Sequence, residues 1–274
     1  MSEEKQMRYL TIVVPSMETI PTAFAESLIG LLNNLPENTL YTLFFEKGSL
    51  VYDARNNLVN RVLEDINNPK SPATEENSYV LWLDSDEVFN PTTIAKLFED
   101  MDKTEDAEVM SALYYGRRAP FTPIAYDKIQ MLVSKNGARQ PSTVDISDEK
   151  INSRSVVEVK GIGLGCVLMK NTIWKKLFTA MENSALPFSP ILCYGEDLSF
   201  CIRCQKAGVK IYVDTECEVG HLLAYNIASA SGTIGLLRAL FAPPQQSIED
   251  DIDIAHKDAE EKLEGLVERV KDEK

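Results

Sequence analysis

The chain has 274 residues, 44% of them hydrophobic, enough to bury the core of one α/β domain of roughly 200–250 residues plus an appendage. Its 42 acidic and 28 basic residues leave a net charge of -14, which works against non-specific attraction to phosphate backbones and makes duplex DNA a poor default partner. The opening Met1-Ser-Glu-Glu-Lys-Gln is polar and charged, so neither a signal peptide nor a membrane span is expected, and the expected location is the cytoplasm.

In chain order, Tyr9-Leu-Thr-Ile-Val-Val-Pro15 reads as a buried strand closed by a proline. A helix over Thr22 to Leu32 and a second strand over Tyr41 to Phe45 follow. In the next segment Ala54, Leu58, Val62 and Ile66 recur every four residues, which predicts a helix over Asp53 to Ile66 with one face on a sheet. A turn-rich loop from Pro69 to Ser78 delivers the chain to Tyr79-Val-Leu-Trp-Leu-Asp84. This alternation predicts an α/β fold with a mostly parallel sheet flanked by helices, whose ligands lie beyond the carboxyl ends of the strands.

A helix is expected over Thr92 to Met101 and a strand over Val109 to Tyr115, then an irregular polar stretch from Gly116 to Val156 that includes Arg117 and Arg118. Gly163 to Met169 reads as a strand, Thr172 to Met181 and Glu196 to Ala207 as helices, and Lys210 to Val213 as a short strand. The stretch from Gly232 to Pro244 is apolar and closed by prolines, and packing is its preferred reading. From Ser247 to Lys274 there are eleven acids against five Lys or Arg, with apolar residues at three- and four-residue intervals. The division expected is therefore 1–245 as catalytic domain and 246–274 as an acidic amphipathic helix, a possible homo-oligomer contact. The five cysteines fit no common zinc spacing and are expected as reduced thiols.

Asp84-Ser85-Asp86, directly after a buried strand, is the stretch that points to chemistry. Two carboxylates around one residue can bind a divalent cation, and the cation can neutralise a diphosphate; the same triplet also serves as an ordinary solvated turn. Glu196 and Asp197 begin a helix, where dipole and free amides favour acids and lower their pKa. A general base needs a pKa nearer neutrality, so burial or a neighbouring acid has to act the other way. Gly161, Gly163 and Gly165 alternate at a strand entrance, where missing side chains let substrate approach the backbone or simply mark a bulge.

Taken together, Asp84-Ser-Asp86, Gly161-Ile-Gly-Leu-Gly165-Cys-Val-Leu, Gly195-Glu-Asp197 and Val219-Gly-His221 resemble, in order and spacing, the family-2-like glycosyltransferases of the GT-A fold over about residues 8–225. That resemblance implies a D-x-D element in which Asp86 is a direct metal ligand, Asp84 reaches the donor ribose or metal waters, and His221 completes the metal site. It implies Mn2+ or Mg2+ as cofactor and a nucleotide-sugar as donor, with UDP the expected nucleotide. Asp197 then resembles the general base of inverting relatives, with Glu196, Gly163 and Gly165 on the acceptor side. Asp53-Ala-Arg55-Asn56 resembles the element that holds the nucleotide-sugar, and Pro15, Ser16 and Met17 match the place that admits the base. The Q-x-x-R-W element of processive relatives is absent, which implies single additions.

The resulting expectation is a metal-dependent glycosyltransferase acting on an acceptor hydroxyl. The acceptor class stays open between glycan, protein, lipid head group, small molecule and modified nucleic-acid base. The rivals are a nucleotidyltransferase, which releases pyrophosphate, and a sugar-nucleotide-binding protein without catalysis.

Overall fold

The computed structural model describes residues 7–223 except 49, 119, 135 and 183–184. The chain divides into two compact units, and the one built from Met1–Arg117 and Phe121–Leu223 is described here. The expected helix over 246–274, the boundary at 245, the stretch from 232 to 244 and any oligomer contact through the terminal helix lie outside the described residues.

The first half alternates as its periodicity predicts: β1 (Arg8–Ser16), α1 (Thr22–Leu32), β2 (Thr39–Lys47), α2 (Val51–Ile66) and β3 (Ser78–Leu83). A two-residue strand β4 (Glu87–Val88), helix α3 (Thr93–Lys103) and strand β5 (Val109–Leu113) follow. The stretch expected to be irregular instead contains a hairpin, β6 (Ala125–Val133) and β7 (Arg139–Asp145), and a short helix α4 (Asp148–Asn152). Then come β8 (Val156–Val159), β9 (Gly161–Ile162), β10 (Cys166–Lys170), α5 (Ile173–Ala180), α6 (Glu196–Lys206), β11 (Ile211–Glu218) and β12 (Gly220–His221).

Seven strands form the main sheet in the order β2-β1-β3-β10-β5-β11-β8. The expectation of a mostly parallel sheet is corrected: β1 pairs parallel with β2 and β3, and β5 with β11, but β10 runs antiparallel to both neighbours and β8 antiparallel to β11. Apolar periodicity identifies a buried strand and is blind to its direction. Direction depends on where the preceding connection delivers the chain. Here β9 belongs to the three-stranded sheet β7-β6-β9, and β10 begins with Cys166 opposite Leu83, the last residue of β3. The chain therefore enters β10 at the carboxyl end of β3 and runs back.

Central strands are buried on both faces, and their alternate residues enter two separate cores. Val80 and Trp82 of β3 pack in the core that holds Leu58, Val59 and Val62 of α2 and Trp174 and Phe200 of α5 and α6. Tyr79, Leu81 and Leu83 point the other way, into the core with Phe24 and Leu28 of α1 and Leu97 and Phe98 of α3. Burial of each such large side chain contributes about 1.5–3 kcal/mol against leaving it in water, so the sheet is clamped between helical layers. Only its strand ends and the loops beyond them remain free for chemistry.

All five cysteines are unpaired, four of them buried. Among the described residues no helix is long and apolar enough to cross a membrane.

Candidate metal centre and cleft

β3 ends at Leu83, and the chain turns at once, the Glu87 amide donating to the Asp84 carbonyl at 3.2 Å. The Asp84 amide donates to the Gly165 carbonyl at 2.9 Å, tying the acidic turn to the connection between β9 and β10. After the turn, β4 pairs antiparallel with β12, with His221 opposite Glu87 and Gly220 opposite Val88. The Leu222 amide closes the arrangement on the Asp86 carbonyl at 2.7 Å. A backbone ladder thus carries a histidine from much later in the chain to the acidic turn.

Ligand-capable atoms of Asp86, Glu87 and His221 all lie within 4.8 Å of one another. His221 Nε2 is 3.7 Å from Asp86 Oδ2 and 3.8 Å from Glu87 Oε1, while its Nδ1 is 3.0 Å from the Tyr115 carbonyl oxygen. A donor Nδ1–H to that carbonyl leaves Nε2 as the nitrogen facing the carboxylates, the arrangement a metal-binding imidazole requires. Tyr114 packs edge-on against the His221 ring, centroids 5.6 Å apart.

Glu87 is the residue that reading the sequence missed. It is 1% exposed, its Oε2 is buried without a hydrogen-bond partner, and burial pushes its pKa to about 8 despite the opposing pull of His221. An orphaned buried carboxylate oxygen beside another carboxylate and an imidazole matches the oxygen and nitrogen donors that Mn2+ and Mg2+ accept. Its only signal in the sequence was adjacency to the D-x-D triplet.

Asp84 is placed differently. Arg55, near the start of α2 and 2% exposed, donates from Nη2 to Asp84 Oδ1 at 2.7 Å, and its Nε lies 3.6 Å from Glu196 Oε1. Its guanidinium sits over the Trp82 ring, 5.5 Å from the centroid. Burial works to lower the Arg55 pKa, but Asp84 and Glu196 outweigh it and the net shift is upward. Burial likewise dominates at Asp84 and raises its pKa, against the Arg55 charge. Arg55 is therefore a buried strut joining the acidic turn to the start of α6.

The turn lines a cleft of about 410 Å3 at the carboxyl ends of β1 and β3. Pro15, Ser16 and Met17 from the end of β1, Gly48 and Ala54 around the start of α2, and Tyr114, Arg117 and Glu196 complete its wall. Arg55, Asp84, Asp86 and His221 also face it, with Glu87. A larger hollow of about 590 Å3, around Arg8, Tyr79 and Asp102, involves the opposite ends of these strands and none of the expected site residues.

Glu196 and Asp197 open α6. Asp197 Oδ1 accepts from the Leu198 amide at 2.6 Å. Burial nevertheless raises its pKa to about 6, with Glu196 adding to the shift and the Leu198 bond opposing it. The competition left open in the sequence is thus decided by desolvation over the helix terminus.

Gly163 and Gly165 are buried, and the space a side chain would take is filled by protein. A Cβ at Gly163 would lie 1.9 Å from the Tyr114 hydroxyl, and one at Gly165 would lie 2.6 Å from Glu87 Oε1. The Gly165 amide also donates to the Tyr114 hydroxyl at 3.3 Å. These glycines admit Tyr114 and Glu87 to the site.

No protein-family model and no curated protein matches this sequence. Among solved structures, that of GalNAc-T7 with UDP, GalNAc and Mn2+ superposes with a TM-score of 0.50 at 10% sequence identity. The match covers 85% of this chain and 48% of that one, so the chain spans about half the length of that protein. At that identity the likeness is one of fold alone: an α/β domain with a mixed sheet.

Proposed function

We propose that this chain is a metal-dependent glycosyltransferase that moves a sugar from a nucleotide-sugar, with UDP as the nucleotide, to an acceptor hydroxyl, with inversion and one sugar per encounter. The observation that carries the reading is the meeting of Asp86, Glu87 and His221 within 4.8 Å on the wall of the cleft that also exposes Pro15, Ser16 and Glu196, in a fold similar to that of a sugar transferase.

In this reading Asp86, His221 and Glu87 would hold the cation, and Asp84, oriented by Arg55, would face the donor ribose. A divalent ion held there would neutralise charge developing on the diphosphate leaving group. Pro15 and Ser16 receive the base, so Arg55 acts on the donor through Asp84. Asp197 accepts the acceptor's hydroxyl proton as that oxygen bonds to the anomeric carbon and the bond to the diphosphate breaks. A carboxylate whose pKa is near 6 is a stronger base than an ordinary aspartate and is still ionised at neutral pH. Glu196 and the Tyr114 surface over Gly163 and Gly165 border the acceptor side.

Thermal stabilisation against a panel of nucleotide-sugars, with and without Mn2+, tests the proposal without an acceptor. The expected result is a manganese-dependent rise with UDP-sugars that Asp86→Ala removes. No rise with any donor in the presence of metal would sink it, and release of pyrophosphate on turnover would replace it with nucleotidyl transfer.

A further inference from the structure

Arg117 stands on the candidate metal site in a way the functional reading does not require. Its Nη1 lies 2.8 Å from Asp86 Oδ2, the same oxygen that His221 Nε2 approaches at 3.7 Å. A cation held by Asp86 and His221 would therefore compete with the guanidinium for the Asp86 carboxylate. The two cleft arginines differ in freedom. Arg55 is 2% exposed and wedged between Asp84 and Glu196, whereas the Arg117 side chain is 52% exposed, on a flexible stem at the rim. A half-exposed ion pair of this kind is weak and exchangeable. Once displaced from Asp86, the guanidinium fork suits the phosphate oxygens of an anionic ligand sharing the cleft.

We infer that Arg117 is an exchangeable counter-cation: it neutralises Asp86 while the metal position is free, competes with the incoming divalent ion, and on displacement pairs with the donor's diphosphate. It is thereby a positioning residue that couples metal entry to donor binding. The inference rests on the proposed donor site and extends it to an order of events, because metal alone must work against Arg117 whereas metal together with a diphosphate gives Arg117 a new partner.

The experiment measures Mn2+ affinity by the electron paramagnetic resonance signal of free Mn2+, and UDP affinity at saturating Mn2+ by calorimetry, for the wild type, Arg117→Gln, Arg117→Lys and Asp86→Ala. Arg117→Gln is expected to tighten Mn2+ alone by about two- to five-fold and to weaken UDP by about ten-fold or more. Arg117→Lys, keeping charge without the fork, is expected between wild type and Gln in both. Unchanged or weaker Mn2+ binding in Arg117→Gln, or unchanged UDP affinity, overturns the inference while leaving the metal site intact. If the wild type binds no Mn2+ that Asp86→Ala abolishes, the donor-site reading itself fails and the inference fails with it.

Discussion

His221 lies directly opposite Glu87 in the two-stranded β4-β12 ladder, although the two are far apart in sequence. Side chains of an opposed antiparallel pair share one face of the ladder, so the backbone register itself aims the imidazole at the buried carboxylate. Glu87→Gln and His221→Ala are each expected to weaken Mn2+ binding by about ten-fold or more, read as loss of the manganese-dependent thermal shift. A Glu87→Gln variant that binds Mn2+ like wild type would remove Glu87 from the ligand set.

Arg55 faces both Asp84 and Glu196 while almost wholly buried. Arg55→Ala leaves those carboxylates without their cation and is expected to cost about 3–5 kcal/mol, measured as a lower urea midpoint with an unchanged slope. Arg55→Lys keeps the charge but loses the fork, so a smaller loss is expected. A loss below about 1 kcal/mol for the alanine variant would show that the strut contributes little.

Burial raises the Asp197 pKa to about 6. As a base it must be ionised, so kcat/KM is expected to rise with pH through about 6 and to level off above it. Asp197→Asn should remove turnover and leave UDP binding intact. An acid limb near 4, or substantial activity in Asp197→Asn, would exclude this residue as the base.

The same shift has a consequence for stability. A carboxyl whose folded pKa is raised holds its proton in the folded state at pH values where the unfolded chain has lost it. Stability therefore falls as pH rises from about 3.8 to about 6. Asp197→Asn removes that loss at neutral pH, with an expected gain on the order of 1 kcal/mol or about 2–4 °C in Tm. A lower Tm for the variant would contradict the desolvation argument.

At Gly163 a Cβ would fall 1.9 Å from the Tyr114 hydroxyl, too close for any rotamer to relieve without movement of the ring or strand. Gly163→Ala is expected to cost about 1–3 kcal/mol, and Tyr114→Phe in the same chain to recover part of it by deleting the clashing oxygen. Equal Tm for Gly163→Ala and wild type would mean that Tyr114 moves freely.

Much of the scaffold was legible along the chain. The four-residue recurrence from Ala54 to Ile66 predicted α2, and the unbroken apolar run from Tyr79 to Leu83 predicted a strand buried on both faces, because burial writes its period directly into residue type. The β6-β7 hairpin was not read, since Asp127, Lys128 and Gln130 interrupt its apolar run and Pro141 lies inside β7. Its turn did carry a signal: Asn136-Gly137, with Gly137 at φ 81°, is the dipeptide tight hairpin turns favour.

The sequence by itself determined most of the helices and main-sheet strands, the acidic turn after a central strand and the acids that start α6, all of which depend on neighbours a few residues away. Only the tertiary structure decided that β10 runs backwards, that Glu87 rather than Asp84 stands beside His221 and Asp86, and that Arg55 is a buried strut. It also decided that burial outweighs the helix terminus at Asp197. Strand direction, ladder register and desolvation are set by chain segments that meet in space, and no local pattern of residues encodes which segments those are.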